Sequence, residues 1–150
     1  INSIHGSVMF VNKKNFDLIN GFDENFFLYF EETDLIKRCL IKSKKIIMID
    51  NITIKHKGRS SVDEKFNHEI EINRNWHYMW SKFYYHKKHF GYICGFLIVV
   101  RHIISAFFKI IFHSISGNTT KKLIYKARLS GCINSLLLKK SWYRPKIYLK

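Results

Sequence analysis

The segment that most restricts the fold is residues 92–116, the most apolar stretch of the chain. A helix over this segment is long enough to cross a bilayer. Its polar side chains nevertheless fall on one side of a helical wheel: Arg101, Ser105, Lys109, His113 and Ser116, with His102 at the edge. A one-sided basic stripe favours a helix that lies in a membrane interface, or that packs on the protein, over a helix that crosses the bilayer.

Charge is distributed very unevenly along the chain. All acidic residues lie at or before Glu71, so the part beyond it carries the whole formal net charge of +15. Such a basic half predicts contact with an anionic partner, which could be phospholipid head groups, a lipid-linked diphosphate or nucleic acid. No zinc-finger spacing, RNP-like motif or convincing helix-turn-helix supports the last of these, so we expect no nucleic acid.

Chain length and cysteine spacing indicate the number of domains and the redox compartment. A chain of 150 residues, of which 16% are aromatic, is one domain by length. It begins with Ile1, which suggests a piece of a longer chain, and no secretory signal opens it. Its cysteines, Cys39, Cys94 and Cys132, are not at metal-ligand or redox spacing, which predicts free thiols in a reducing compartment.

The first part of the chain mixes strand and helix patterns. Residues 6–11 and the β-branched run 45–55 predict strands. Residues 13–20 predict a short helix that ends at Gly21, because glycine accepts positive φ there. A longer helix is expected to begin at Glu31.

The second part is expected to be helical. Residues 66–90 form a long polar and aromatic pattern, and residues 118–140 form a basic amphipathic one that Gly131 should weaken. The tail then places Trp142, Tyr143 and Tyr148 among basic residues, which is typical of a membrane-interface anchor. We therefore expect one unit at 1–65 and a basic, membrane-associated helical unit at 66–150.

Residues 21–38, GFDENFFLYFEETDLIKR, place five aromatic side chains directly before Glu31, Glu32 and Asp34. Apolar surroundings and neighbouring acids both raise the pKa of a carboxyl group, which suits a general base. The competing interpretation is that these acids simply begin a helix, where the helix dipole stabilises them.

A second candidate group follows the run 45–55. His56 could bind a metal or a phosphate, although an isolated histidine in this position is usually structural. The adjacent Lys57, Arg59 and Ser60 would suit a diphosphate, or could form a solvated basic loop.

These segments together resemble a known family. The run GSVMFVNKKNFDLINGFDENFFLYFEETDLIKRCL, followed by KIIMIDNITIKHKGRSS, resembles the acceptor-side half of family 2 glycosyltransferases of the GT-A fold, closest to the rhamnosyltransferase-like group. The resemblance implies an α/β fold, here an incomplete GT-A half with a C-terminal amphipathic helical region. It also implies inverting transfer of a sugar from a nucleotide-sugar donor to an acceptor hydroxyl.

The resemblance assigns roles to the acidic stretch. The general base of the family is the second member of an acidic pair, usually Asp, and that position is Glu32 here. Because Glu is one methylene longer, the base could instead be displaced to Glu31. Asp34 and Arg38 would orient the helix and the site.

It also assigns roles outside that stretch. His56 would complete the site of a divalent metal, Mg²⁺ or Mn²⁺, on the nucleotide diphosphate. Gly6 and Ser7 would line the sugar and acceptor pocket. The donor-binding βαβ region and the Asp-x-Asp metal motif of the family have no counterpart in this sequence, so the chain alone is expected to be inactive.

The sequence therefore predicts the acceptor-side part of a glycosyltransferase, peripheral on the cytoplasmic face of the plasma membrane. Its expected partners are the nucleotide sugar, a lipid-linked or glycan acceptor and the anionic membrane surface. A non-catalytic membrane-surface protein, or a relic of a truncated gene, explains the absent donor half better and remains open. A basic nucleic-acid-binding module is a third possibility.

Overall fold

A computed structural model describes residues 8–49, 51–55 and 66–145 of the chain. The regular structure of these residues is helical, with the elements α1 Lys13–Leu18, α2 Glu31–Ile41, α3 Asn67–Phe90, α4 Tyr92–Ile115 and α5 Thr119–Leu136. All five helices agree with the positions predicted from sequence.

The predicted α/β fold is wrong: the described residues contain helices and no strand. Both predicted strands lack regular structure in their described parts, which are residues 8–11 and residues 45–55 without Asp50. A strand needs a neighbour for its backbone N–H and C=O groups, and no described segment pairs with either run. Ile47 and Ile52 are accordingly 77% and 58% exposed.

Helices α3, α4 and α5 pack against one another in all three pairs and form a three-helix bundle. Its core has two groups of buried side chains, one of Ile72, Trp76, Trp80 and Ala127, and one of Met79, Phe83, Val99 and Cys132. Helix α3 contributes five of these eight side chains, so it is the central element of the bundle.

Helices α3 and α5 approach each other closely at Gly131 of α5. A Cβ atom on Gly131 would lie 2.4 Å from the carbonyl oxygen of Trp76 on α3. The sequence pattern suggested that Gly131 weakens its helix, but the missing side chain is what lets the two backbones approach.

The segment between α1 and α2 has an unusual backbone. Gly21 adopts φ +59° and its N–H donates to the carbonyl of Phe16, as predicted for the residue that ends α1. Tyr29 and Phe30 then adopt φ of 66° and 69°, which non-glycine residues rarely do. The chain therefore enters α2 at Glu31 through two consecutive left-handed residues.

Helix α4 turns an apolar face away from the bundle. Gly95, Val99 and Ala106 are buried against the neighbouring helices. The side chains on the other face are exposed: Ile93, Phe96, Leu97, Ile104, Phe107, Phe108, Ile111, Phe112 and Ile115. Within the described residues, α4 is the one helix long and apolar enough to cross a membrane.

The described part of the tail packs on α3. The ring of Tyr143 stacks on Trp76 at 5.6 Å, and the indole N–H of Trp80 donates to the carbonyl of Lys139. Trp142 remains 55% exposed. Of the predicted interface anchor, Tyr143 is thus largely engaged within the protein, and Tyr148 lies outside the described residues.

Candidate functional site

Asp34 is the fully buried carboxylate of the acidic stretch, and basic side chains surround it. Its Oδ2 accepts from Nε of Arg38 at 2.7 Å. Its Oδ1 accepts from Nε2 of His89 at 2.8 Å and lies 2.7 Å from Nζ of Lys88. A charge with no solvent contact is tolerated here because both of its oxygens are paired.

Arg38 extends this network to the end of α1. Its two terminal nitrogens donate to the backbone carbonyls of Ile19 and Gly21, the latter at 2.7 Å. The planar guanidinium thus binds a carboxylate of its own helix and two carbonyls of the preceding segment. Arg38 fixes the position of α2 relative to the end of α1.

Asp23 forms the outer part of the same network. Its Oδ2 accepts from Lys88 at 2.7 Å and from the hydroxyl of Tyr84 at 3.0 Å, so Lys88 bridges Asp23 and Asp34. Burial alone would raise the pKa of Asp23, but hydrogen bonds from Lys88, Asn25 and Tyr84 outweigh it and lower the pKa to about 2. Asp23 is therefore ionised at neutral pH.

The aromatic run between the acids is fixed on α3. Phe26 packs edge-to-face on Tyr84 at 4.9 Å, and Phe30 packs on Tyr78 and Tyr85 at 5.8 and 5.4 Å. The hydroxyl of Ser81 donates to the carbonyl of Leu28 at 2.7 Å. These contacts hold the left-handed backbone before α2.

Glu31 differs from the other acids of the stretch. It is half-buried, and within the described residues its Oε2 is buried without a hydrogen-bond partner. Burial and, to a smaller extent, the charge of Glu32 raise the pKa of Glu31, although a hydrogen bond from its own backbone N–H opposes this. A carboxylate of raised basicity with a free lone pair can accept a proton.

The nearest cleft does not contain the acidic pair. An open depression of about 450 Å³ is lined by Ile19, Asn20, Phe22, Asp23, Glu24, Arg38 and Lys88. Neither Glu31 nor Glu32 lines it, and Phe22 is its one aromatic wall. This cleft therefore does not place the acidic pair in a pocket walled by the aromatic run.

The other candidate residues lie outside the described part of the chain: Gly6, Ser7, His56, Lys57, Arg59 and Ser60. No group of three His, Cys, Asp or Glu side chains in the described ranges could hold a metal ion. The described residues alone thus do not form the divalent-metal site that the resemblance implies.

No role was predicted from sequence for Asp23 or for the three α3 residues of the network, Tyr84, Lys88 and His89. The three α3 residues belong to the run YYHKKHFG at residues 84–91, which lies outside the two runs that carry the family resemblance. In the structure this run is the end of α3, which Gly91 terminates at φ +88° before α4 begins. The acids that Lys88 and His89 pair with are more than fifty positions away in sequence, so local helical spacing does not reveal these pairs.

No protein-family model matches this chain, and neither a curated protein nor a solved structure is significantly similar to it.

Proposed function

We propose that this chain is the acceptor-side part of an inverting glycosyltransferase that works at a membrane surface. The observation that carries the proposal is the network around Arg38. It joins Gly21, Asp34 and Arg38, three positions of the sequence pattern, through direct hydrogen bonds. A pattern whose members contact one another is more informative than the same residues in sequence order alone.

In this proposal the carboxylate beside the network is the general base. Glu31 is favoured over Glu32 because it combines raised basicity with an unpaired, buried oxygen. It would accept the proton of the acceptor hydroxyl as that oxygen attacks the anomeric carbon of the sugar. Asp34 and Arg38 act as positioning residues, since they hold the start of α2 and do not themselves have a free lone pair or a free charge.

A divalent metal, bound in part by His56, belongs to the same proposal and would stabilise the departing diphosphate. The described residues supply no ligand set for it. The roles derived for this chain are therefore limited to proton acceptance and to positioning of the acid.

The basic second half supports placement at an anionic membrane. Helix α4 exposes an apolar face, and the part of the chain beyond Glu71 carries no acid. Helices α3 and α5 cover the side of α4 that includes Gly95, Val99 and Ala106, which favours a helix embedded in the interface over a separate span. A lipid-linked acceptor would then reach the site from the same membrane.

The test is a transfer assay on membranes that contain this chain joined to a donor-binding half, with a panel of nucleotide sugars and extracted lipid-linked acceptors. Glu31→Gln should abolish transfer, and Glu32→Gln should reduce it if the two acids share the task. Asp17→Asn is the matched control, because Asp17 is an exposed acid of α1 that does not line the cleft. Transfer that survives in both the Glu31 and the Glu32 variants would remove the acidic pair from the mechanism.

A non-catalytic membrane-surface protein is the second candidate. The observation that favours it concerns Asp23 and Asp34, whose carboxylates are paired with basic side chains of the protein itself. Such pairing is sufficient to account for both acids as structural residues. Vesicle binding without transfer from any nucleotide sugar would support this candidate.

A further inference from the structure

Three helices bring basic side chains together at a second place in the bundle, which we call the basic cluster. It consists of Lys82 from α3, Arg101 and His102 from α4, and Arg128 from α5. Nζ of Lys82 lies 3.1 Å from Nε2 of His102, a distance at which the ammonium donates to the neutral ring. The site thus joins all three helices of the bundle.

The cluster has no acidic counterpart among the described residues. Burial and then the charges of Arg101 and Arg128 lower the pKa of Lys82. Burial and the charges of Lys82, Arg101 and Arg128 likewise lower the pKa of His102 to about 4. Like charges that converge on a partly buried position repel one another, and an anion between them would relieve that repulsion.

The surroundings hold the cluster in place. Cys132, which is fully buried, lies close enough to Arg128 and Lys82 for their charges to act on its thiol. On its other side, Arg128 lies 5.8 Å from the ring centre of Tyr125. The face of the Tyr125 ring thus offers Arg128 a cation–π interaction beside the cluster.

A second polar group lies beside the cluster. Lys109 and His113 of α4 both contact the ring of Tyr125, at 4.9 and 5.5 Å, and the two rings are nearly parallel. Within the described residues, Nδ1 of His113 is buried without a hydrogen-bond partner. A ligand that extends past Arg128 would meet further polar groups here.

We propose that the basic cluster binds a phosphate group, as a phosphomonoester or a diphosphate. Two guanidinium groups and one ammonium offer several charge-assisted hydrogen bonds. The guanidinium of Arg can bind two oxygens of one phosphate at the same time. The ligand can come from two sources, a lipid head group or a soluble phosphate. The exposed apolar face of α4 on the same helix gives the lipid source a place for its chains.

The first experiment uses the whole chain and inorganic pyrophosphate, followed by calorimetry and thermal unfolding at constant ionic strength. Wild type should bind and its Tm should rise. Lys82→Gln and Arg128→Gln should each weaken binding by about ten-fold or more, which is typical for loss of a charge-assisted hydrogen bond. Lys126→Gln is the matched control, since it removes one charge from an exposed position of the same helix as Arg128.

The Tm of each variant without ligand shows whether that variant still folds. Because Lys82 sits among like charges, Lys82→Gln should leave the ligand-free Tm unchanged or raise it, while Lys82→Arg should retain binding. No rise of the wild-type Tm with pyrophosphate, or equal weakening in Lys126→Gln, would overturn the proposal.

Vesicles identify the source. Flotation with phosphatidate in phosphatidylcholine, compared with phosphatidylcholine alone, should depend on Lys82 and Arg128 if the ligand is a lipid phosphate. Pyrophosphate binding that depends on the cluster, with vesicle binding that does not, would assign a soluble phosphate. These readouts are independent of sugar transfer, so their failure would leave the proposed function untouched.

Discussion

Nε2 of His89 lies 2.8 Å from Oδ1 of Asp34, which connects the last turn of α3 to the first turn of α2. With Arg38 on the other oxygen, this carboxylate joins the aromatic segment to the helical bundle. The position of Glu31 therefore depends on a buried ionic network three residues further along the same helix.

The first prediction concerns that network. Asp34→Asn should destabilise the protein by about 3 kcal/mol, because Arg38 and Lys88 lose their buried partner. Chemical denaturation measures the effect. Asp17→Asn is the control, since the Lys13–Asp17 pair is exposed on both sides and should contribute less than about 1 kcal/mol. Equal losses in the two variants would show that the network is not important for stability.

The second prediction concerns the contact between α3 and α5. Gly131→Ala should destabilise by roughly 1–3 kcal/mol, because the new methyl group meets the backbone carbonyl of Trp76, which cannot move without shifting α3. Gly95→Ala should cost less, since the nearest atoms, the ring of Phe83 at 3.0 Å and the backbone nitrogen of Lys87 at 3.2 Å, need to yield by only a few tenths of an ångström. The reverse order in thermal unfolding would contradict the packing described here.

The third prediction concerns acid sensitivity. His77 is fully buried, donates from Nε2 to the carbonyl of Tyr143 and accepts at Nδ1 from Ser141. Burial lowers the pKa of His77 from 6.5, against the hydrogen bond to Tyr143. The folded state therefore binds fewer protons than the unfolded state, so its stability is complete above about pH 6.5 and falls as the pH decreases below that value.

Unfolding free energies at about pH 7.5 and about pH 5.5 test this prediction. The decrease in unfolding free energy between these two pH values should be smaller in His77→Gln than in wild type, whatever the stability of that variant at neutral pH. An identical loss in both proteins would mean that His77 is not responsible.

The fourth prediction separates catalysis from stability at Glu31. Its raised pKa means that ionisation of Glu31 opposes folding, and this cost appears as the pH rises from the unfolded value of 4.5 through the folded value. Glu31→Gln should therefore leave stability at pH 7 unchanged or higher. A clear loss of stability in this variant would indicate that Glu31 serves the fold, as an ordinary acid at the start of a helix does.

Sequence periodicity located the five helices because each has an apolar stripe or a terminal glycine that local rules describe. The same rules predicted strands at residues 8–11 and 45–55, since β-branched composition marks a segment that could pair but does not show whether a partner exists. The role of Gly131 was missed for a related reason, because a glycine inside a helix reveals its packing only when the neighbouring helix is known.

The candidate site was only partly accessible from sequence. Asp34 and Arg38 are four residues apart, so their pairing on one helical face could be anticipated. Lys88 and His89 could not be assigned to the same network, because they reach it from a helix more than fifty residues away. Residues 56–60, which carry the rest of the predicted site, lie outside the described part of the chain.

The central claim is that Glu31 or Glu32 removes a proton from an acceptor hydroxyl during sugar transfer. The most direct measurement is initial-rate transfer from radiolabelled nucleotide sugars in membranes that contain the chain joined to a donor-binding half, as wild type, Glu31→Gln, Glu32→Gln or the control Asp17→Asn. The account predicts transfer by wild type and the control, and its loss in Glu31→Gln with binding of the nucleotide sugar retained. Transfer at wild-type rates in both Glu31→Gln and Glu32→Gln would contradict it.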